Sequence, residues 1–391
     1  MGRSWRAVTL DLARCLLCPA ITRCHCARVD EGSMRVAGYT SLERNNMTHA
    51  FVTGASGFIG GHLVRQLRDA GDEVTCLVRP TSDTSQLDEM KPRYVMGDIT
   101  APESFSRYLA DVDVVYHLAG ATKSLRKRDL HRINVEGVRM VAHACAHQRS
   151  PPTLVHVSSL AAVGPTTCSC PRIESDEPQP VSNYGRSKLA GEVEVAEFAG
   201  DVPITIIRPP IVLGEADRDG LTMFDSIARW NLHLVPGFSE ERFSVVHGDD
   251  LAAALILASR QGRRLDPEHP SVGRYFVAAD ESPTYAELGQ MVGQALGRDH
   301  VRVLHNPKSA VWAIAAINEF ASQVRRRAHI LGLDKAREAT AGSWICSGRS
   351  FEQDTGFRPG CDLQARLDQT ARWYIEQGWL PEPRFAPCQA S

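Results

Sequence analysis

The sequence has no apolar run of the 18 or more residues that a membrane-spanning helix needs, and we expect no integral membrane segment. Its most apolar helical stretch, Ala310 to Ile317, stops at Asn318 and Glu319 and reads as core-facing; Arg325, Arg326 and Arg327 then read as a solvated helix end rather than a membrane-surface patch. Charge of one sign is also missing: 44 Lys and Arg against 46 Asp and Glu leave a net charge of −2 over 391 residues. No global field therefore attracts nucleic acid or anionic lipid. Low-complexity tracts and internal repeats are absent, and 43 % hydrophobic against 23 % charged residues excludes a disordered chain. Cysteine is sparse beyond the start. Four of 11 (Cys15, Cys18, Cys24, Cys26) lie in the first 26 residues; Cys76, Cys145, Cys168, Cys170, Cys346, Cys361 and Cys388 are an odd set without framework spacing, which fits a reduced cytoplasm.

The first 46 residues carry seven Arg and no Lys, without sustained periodicity. Asp11 and Arg14 interrupt the one apolar stretch, which spoils a secretory signal, and the CxxC of Cys15 and Cys18 is followed by a Cys24-His25-Cys26 too tightly spaced for the usual second half of a zinc site. We read residues 1–46 as an extension, disordered or arising from an upstream start, and Met47 as the opening of the folded part. No metal site is expected.

From Thr48 onward strand and helix signals alternate. Ala50 to Val52, Glu73 to Val78, Arg93 to Met96, Val112 to Leu118, Thr153 to Val157 and Ile204 to Arg208 read as strands; helices are expected through Leu63 and Leu67, from Asp129 to His147, and from Tyr184 to Phe198. Such alternation predicts an α/β fold of the Rossmann type, a doubly wound parallel sheet at 47–212, with a smaller C-terminal substrate-binding lobe at 213–391 that interleaves with the sheet.

Between the first strand and helix lie Gly54, Gly57, Phe58, Ile59 and Gly60. Glycines at that spacing allow a tight turn, close backbone approach to a pyrophosphate and close helix packing, and the helix N-terminus adds partial positive charge. An acid near the end of the second strand would hold the ribose of NAD, whereas Arg79 stands there, 19 residues past Gly60, beside Thr81 and Ser82. NADP is therefore expected in preference to NAD. Further on, Tyr184 and Lys188 stand four apart and share a helix face; an ammonium beside a phenol would lower its pKa toward neutrality. Ser158 and Ser159 end a strand 25 residues earlier.

In combination TGASGFIG at 53–60, GDIT at 97–100, HLAG at 117–120, VSSLAAVGP at 157–165 and YGRSK at 184–188 resemble the extended branch of the short-chain dehydrogenase/reductase superfamily, from Thr48 to about Leu380. The resemblance implies that Tyr184 is the proton donor or acceptor, that Lys188 also holds the nicotinamide ribose, and that Ser159 rather than Ser158 hydrogen-bonds the reacting oxygen. It implies that Asp98 and Ile99 border the adenine, that Ala119 and Gly120 line the cofactor, that Asn134 is the family asparagine, that Pro209 runs beside the nicotinamide, and that the chain forms a homodimer through the Tyr184 helix and the one before it. His247, Asp249 and Asp250 resemble the element leading into a later helix, with one aspartate as its cap.

The same Tyr, Lys and Ser serve ketone reductases and also epimerases and dehydratases. VSSLAAVGP is closer to 3β-hydroxysteroid dehydrogenases and dihydroflavonol reductases than to nucleotide-sugar epimerases. The expected function is oxidoreduction of a secondary alcohol or ketone of a small, partly apolar molecule. The alternatives are an epimerase or dehydratase with retained NAD, and a non-catalytic dinucleotide sensor. Specificity is expected from loops carrying Trp230, His233, Pro236 and Phe238, whereas Trp312, Phe320, Trp344, Phe357 and Trp373 read as core.

Overall fold

The computed structural model describes residues 47–124, 126–166, 170–238, 240–325 and 332–382. The N-terminal extension, Cys168, Arg326, Arg327 and Cys388 fall outside them. The strands are β1 (His49–Thr53), β2 (Glu73–Val78), β3 (Arg93–Met96), β4 (Val114–His117), β5 (Thr153–Val157), β6 (Ile204–Arg208), β7 (Ile211–Leu213), β8 (Leu232–Pro236), β9 (Val245–His247), β10 (Arg274–Phe276) and β11 (Arg302–Asn306). The helices are α1 (Phe58–Asp69), α2 (Lys127–His131), α3 (Gly137–Ala146), α4 (Asn183–Ala196), α5 (Leu221–Trp230), α6 (Gly248–Gln261), α7 (Tyr285–Ala295), α8 (Lys308–Arg325), α9 (Leu333–Ala339), α10 (Arg349–Thr355) and α11 (Leu363–Glu376).

Seven parallel strands form one sheet in the order β10-β6-β5-β4-β1-β2-β3. Side chains alternate faces along each strand, so both faces must be apolar and covered. In β1, Ala50 and Val52 pack with Leu63 and Leu67 of α1 and Leu251 and Leu255 of α6, while Phe51 points the other way, to Val138 and Val141 of α3 and Val195 of α4. Chain order runs outward in one direction through β2 and β3 and in the other through β4, β5 and β6. The crevice at the carboxyl ends of β1 and β4 is therefore the switch point where α/β sheets bind ligands.

Residues beyond 213 do two things. Helix α6 and the edge strand β10 complete the sheet layer, whereas α5, α7 and α11 bury Phe224, Ile227, Leu288, Val292, Leu367 and Tyr374 in a separate core. Expected strand limits hold within two residues. The helix expected from Asp129 to His147 starts at Lys127 and is broken at Arg132–Glu136 by one π turn. Helix α8 differs more: Trp312, Ile314 and Ile317 are exposed, so the stretch expected to face the core does so only through Val311 and Ala315. Trp344 and Phe357 are buried as expected.

A polar cluster joins α1, α6 and α11. His62 Nδ1 lies 2.6 Å from Asp249 Oδ1, its Nε2 lies 3.0 Å from the Glu215 carbonyl, and His247 Nε2 lies 3.2 Å from Glu215 Oε2. Arg65 also pairs with Asp249, and Gln369 donates to Glu215 and to Asp249. His62, Glu215 and Asp249 have ligand-like spacing, but Arg65 and Gln369 already hold the carboxylates. The expected aspartate cap of α6 is instead His247, whose Nδ1 accepts the Asp249 N–H and frees both aspartates to pair. Burial opposes ionisation, yet His247 and His62 hold the Glu215 carboxyl down to about 2, and His62 and Arg65 hold Asp249 well below the usual range. Both carboxylates therefore contribute stability above about pH 4.5 that is lost as pH falls. Replacing His62 by Ala should cost about 2–4 kcal/mol at pH 7 in urea unfolding, shrinking toward pH 3; a cost independent of pH would mean that only packing was lost.

Candidate active site

The crevice is built by three close backbone approaches. Gly54 has φ +74° and a Cβ there would meet the Ala119 nitrogen at 2.6 Å; one on Gly60 would meet the Gly54 oxygen at 2.3 Å. The turn closes through Gly57 N–H donating to the Gly54 carbonyl, and Gly57 caps α1 in extended backbone without a side-chain bond. The first N–H groups of α1, on Phe58 and Ile59, thus face the crevice with the positive end of the helix dipole. These are the groups a pyrophosphate needs. Thr53 fixes the neighbouring strand end: its Oγ1 lies 2.7 Å from His117 Nδ1 and accepts the Ala119 N–H.

Arg79 is exposed at the end of β2, where its N–H donates to Ser82 Oγ. Next to it Asp98 is turned inward, accepting from the N–H and hydroxyl of Thr100. Burial opposes ionisation of Asp98, but these bonds together with Arg79 and Arg132 hold its carboxyl below the usual range. Ile99 is buried, and a Cβ on Gly137 of α3 would press on it at 2.6 Å.

Helix α4 brings the remaining groups together. Ser182 caps it, accepting the Gly185 N–H, and Asp334, 150 residues onward, accepts the N–H groups of Asn183 and Tyr184. Gly185 lets α4 touch the turn after Ser159: a Cβ would lie 2.3 Å from the Ala161 carbonyl. Gly191 does the same at the π turn, 2.2 Å from the Asn134 carbonyl. Tyr184 therefore lies near Ser159, whose hydroxyl favours the phenolate and itself accepts the Ala161 N–H, while Ser158 faces the buried Glu192 that pairs with Arg208. Asn134 is buried and ties the loop after β4 to α4: its amide oxygen accepts from Ala121 N–H, and its Nδ2 donates to the Ala121 carbonyl and to Ser187. Gly120 lies between Asn134 and the Lys188 ammonium, and the Pro209 carbonyl accepts the Leu160 N–H.

Lys188 Nζ donates to the Val157 carbonyl at 2.6 Å. Burial pushes its pKa down to about 8, against Glu192, which raises it. Tyr184 departs from the sequence expectation: burial pushes the phenol up to about 12, with Ser159 lowering and Glu338 raising it, because the ammonium is turned toward the strand end. Below Lys188 the rings of His117 and His156 stack at 5.4 Å on neighbouring strands, and burial and the Lys188 charge drive His117 down to about 3 and His156 well below its usual value. Both rings are neutral near pH 7, so Lys188 carries the positive charge of this layer. A buried lysine with a lowered pKa costs stability while protonated, so stability rises from about pH 8 toward 10.5. Relative to Lys188→Met, the native protein should gain about 2 kcal/mol between pH 8 and 10 in urea midpoints. Parallel curves would show that Lys188 is solvated.

The sequence did not point to Asp334 or His156 as neighbours of the site, and it marked Thr53 and His117 only as the first residues of two motifs, without a role. Asp334 acts across 150 residues of chain, and no local pattern marks it. Trp230 and Phe238 are exposed on the C-terminal part, and His233 is buried with its Nε2 2.9 Å from the Tyr285 carbonyl.

The NAD dependent epimerase/dehydratase family matches residues 50–273. A ceramide reductase of Caulobacter vibrioides is 29% identical over 332 residues, covering 85% of this chain and 96% of its own. Sterol demethylase protein B of Methylococcus capsulatus is 28% identical over 341 residues, covering 84% and 99%. Among solved structures, a dTDP-glucose 4,6-dehydratase of Streptomyces venezuelae with bound NAD superposes with a TM-score of 0.67 at 23% identity, covering 85% of this chain and 99% of its own. The chain belongs to the NAD dependent epimerase/dehydratase family, in the extended short-chain dehydrogenase/reductase superfamily, and is an NAD(P)-dependent enzyme of that type.

Proposed function

We propose that the enzyme is a reductase, reversible as a dehydrogenase, that uses NADPH in preference to NADH to reduce a ketone on a lipophilic molecule. The observation that carries this reading is the convergence of Ser159, Tyr184 and Lys188 at the strand ends beside the glycine turn. The lipophilic substrate is supported by the names of two relatives, a ceramide reductase and a sterol demethylase.

The glycine turn fits a dinucleotide: the close approaches at Gly54 and Gly60 leave no room for side chains there, and the uncapped start of α1 offers the Phe58 and Ile59 N–H groups; Ala119 and Gly120 would line the backbone wall, and Asp98 and Ile99 would border the adenine. The bound nicotinamide supplies the hydride. Ser159 holds the carbonyl oxygen of the substrate by a hydrogen bond, and Tyr184 donates its phenolic proton to that oxygen as charge develops there. A phenol at about 12 holds its proton until the substrate needs it. Lys188 would also hold the nicotinamide ribose, and Pro209 would lie beside the ring. Asn134 positions the loop carrying Ala121, and so the wall behind Lys188. Dimerisation through α3 and α4 is part of this proposal.

The test is NADPH oxidation by the purified full chain against a panel of lipid ketones, including a 3-ketosteroid and a long-chain 3-oxo amide. Turnover with NADPH and any of these supports the reading. Conversion of a nucleotide sugar without net cofactor consumption would replace it by the epimerase reading. Arg79→Asp should weaken NADPH about 100-fold while changing NADH less than about threefold, since only the former carries the 2′-phosphate. Equal losses would place Arg79 away from that phosphate.

A further inference from the structure

Helix α9 packs against the start of α4. Both carboxylate oxygens of Asp334 are used there, accepting the N–H groups of Asn183 and Tyr184 at 2.8 and 3.0 Å. Glu338 stands one turn further along α9, on the same face. The Tyr184 phenol, raised chiefly by burial, is raised further by the Glu338 charge. Trp344 fixes the place of Glu338: its indole N–H donates to the Glu338 carbonyl at 3.0 Å, and its ring belongs to the same apolar cluster as Tyr184 and Phe243. Glu338 is only 9% exposed, yet one of its carboxylate oxygens alone is held. Lys335 Nζ donates to Oε2 at 2.9 Å, whereas Oε1 accepts no hydrogen bond among the described residues. A carboxylate oxygen so nearly buried costs free energy without a donor, and a ligand that brings one removes that cost.

We infer that Glu338 is a specificity-determining residue that accepts a hydrogen bond from a neutral donor, a hydroxyl or an amide N–H, carried by the substrate next to its reacting ketone. This role rests on the ketone reduction proposed for Ser159, Tyr184 and Lys188, and it names one part of that substrate. Charge selects the donor. An anionic group at this place would meet the Glu338 carboxylate, and an ammonium would meet Lys335, which already balances it. A neutral donor meets neither objection, and its bond to an ionised carboxylate is stronger than one between neutral groups. Asp334 cannot do this work, because its oxygens are taken by backbone. Around Tyr184 the rings of Phe243, Phe276 and Trp344 with Leu160 make the cluster apolar, so Glu338 stands out as the polar contact on an otherwise greasy wall.

The experiment is equilibrium dialysis of the full chain, with and without NADPH, against two probes: a medium-chain alkane-1,3-diol and its 1-O-methyl ether, which keeps the secondary alcohol and loses the neighbouring donor. The native protein should bind the diol at least about tenfold more tightly than the ether. Glu338→Gln, of the same shape without the charge, should weaken the diol about tenfold and the ether less than about twofold, with NADPH affinity and melting temperature unchanged. Should that variant melt early, Glu338→Asp, which keeps the charge and withdraws it by one methylene, should lower the preference for the diol in its place. Native protein that binds both probes alike, or a variant that loses both in equal measure, overturns the proposal, the second because a purely structural role would disturb the whole site. A diol preference controlled by Glu338 in an enzyme that oxidises NADPH with no ketone leaves this contact standing and removes the reductase reading; ketone turnover without any diol preference does the reverse.

Discussion

Tyr184→Phe should lower kcat for ketone reduction by about 10²–10⁴-fold. The substitution removes one oxygen from a side chain whose helix start is held independently, by Ser182 and by Asp334 bonding the backbone N–H groups of Asn183, Tyr184 and Gly185. The fold of α4 should therefore survive, and NADPH affinity should stay within about threefold, because the loss falls on a transition-state contact. Stopped-flow hydride transfer with fluorescence titration of NADPH separates the two quantities. Loss of both would mean that Tyr184 only shapes the cofactor site; loss of neither would remove the phenol from the chemistry. Raising the pH cannot rescue the variant, whereas in the native enzyme the Lys188 ammonium, lowered to about 8 by burial, should make the oxidation direction fall off above that pH.

The second large effect concerns the turn before α1. A methyl on Gly60 would sit 2.3 Å from the Gly54 carbonyl and 2.6 Å from Ala55 Cα, both backbone atoms that cannot turn aside. At Gly61, one residue on, the nearest atom is Gln86 Oε1 at 3.7 Å, an ordinary contact on a movable side chain. Gly60→Ala should weaken NADPH by more than about 100-fold, since the turn must open to relieve the overlap and the N–H groups of Phe58 and Ile59 lose their aim. Gly61→Ala should leave affinity unchanged and raise stability slightly, because Ala suits a helix interior better than Gly by about 1 kcal/mol. The pair is decisive: equal effects would show that helix propensity rather than close approach governs the turn.

Much of this was legible in the sequence, for local reasons. Strands β2, β5 and β6 could be read residue by residue because parallel strands buried on both faces are short apolar runs, and β3, mostly exposed at the sheet edge, because Gly97 and Asp98 end it. Phe58, Ile59, Tyr184, Lys188 and Ser159 could be named because their motifs are contiguous. Two local readings failed for an identifiable cause. The helix around Asn134 contains a π turn, which no apolar period reveals, and its amide serves the loop at Ala121. The expected effect of Lys188 on Tyr184 presumed that four residues of spacing bring charge to phenol, whereas the ammonium reaches Val157 instead. Asp334, Glu338 and the His62, Glu215, Asp249 cluster depend on chain returning from far away, so that information is tertiary. Ala310 to Ile317 misled for the opposite reason: an apolar helical run implies burial only when something in the same chain covers it.

The central claim is that this enzyme exchanges its nicotinamide cofactor at each turnover and prefers the phosphorylated form. The direct measurement is to denature the purified full chain, identify any dinucleotide released, and titrate the native protein with NADPH and NADH. The account predicts little released dinucleotide and tighter binding of NADPH than of NADH. One equivalent of NAD per chain, surviving desalting, would contradict it and make the protein an epimerase or dehydratase that returns the hydride to its own substrate.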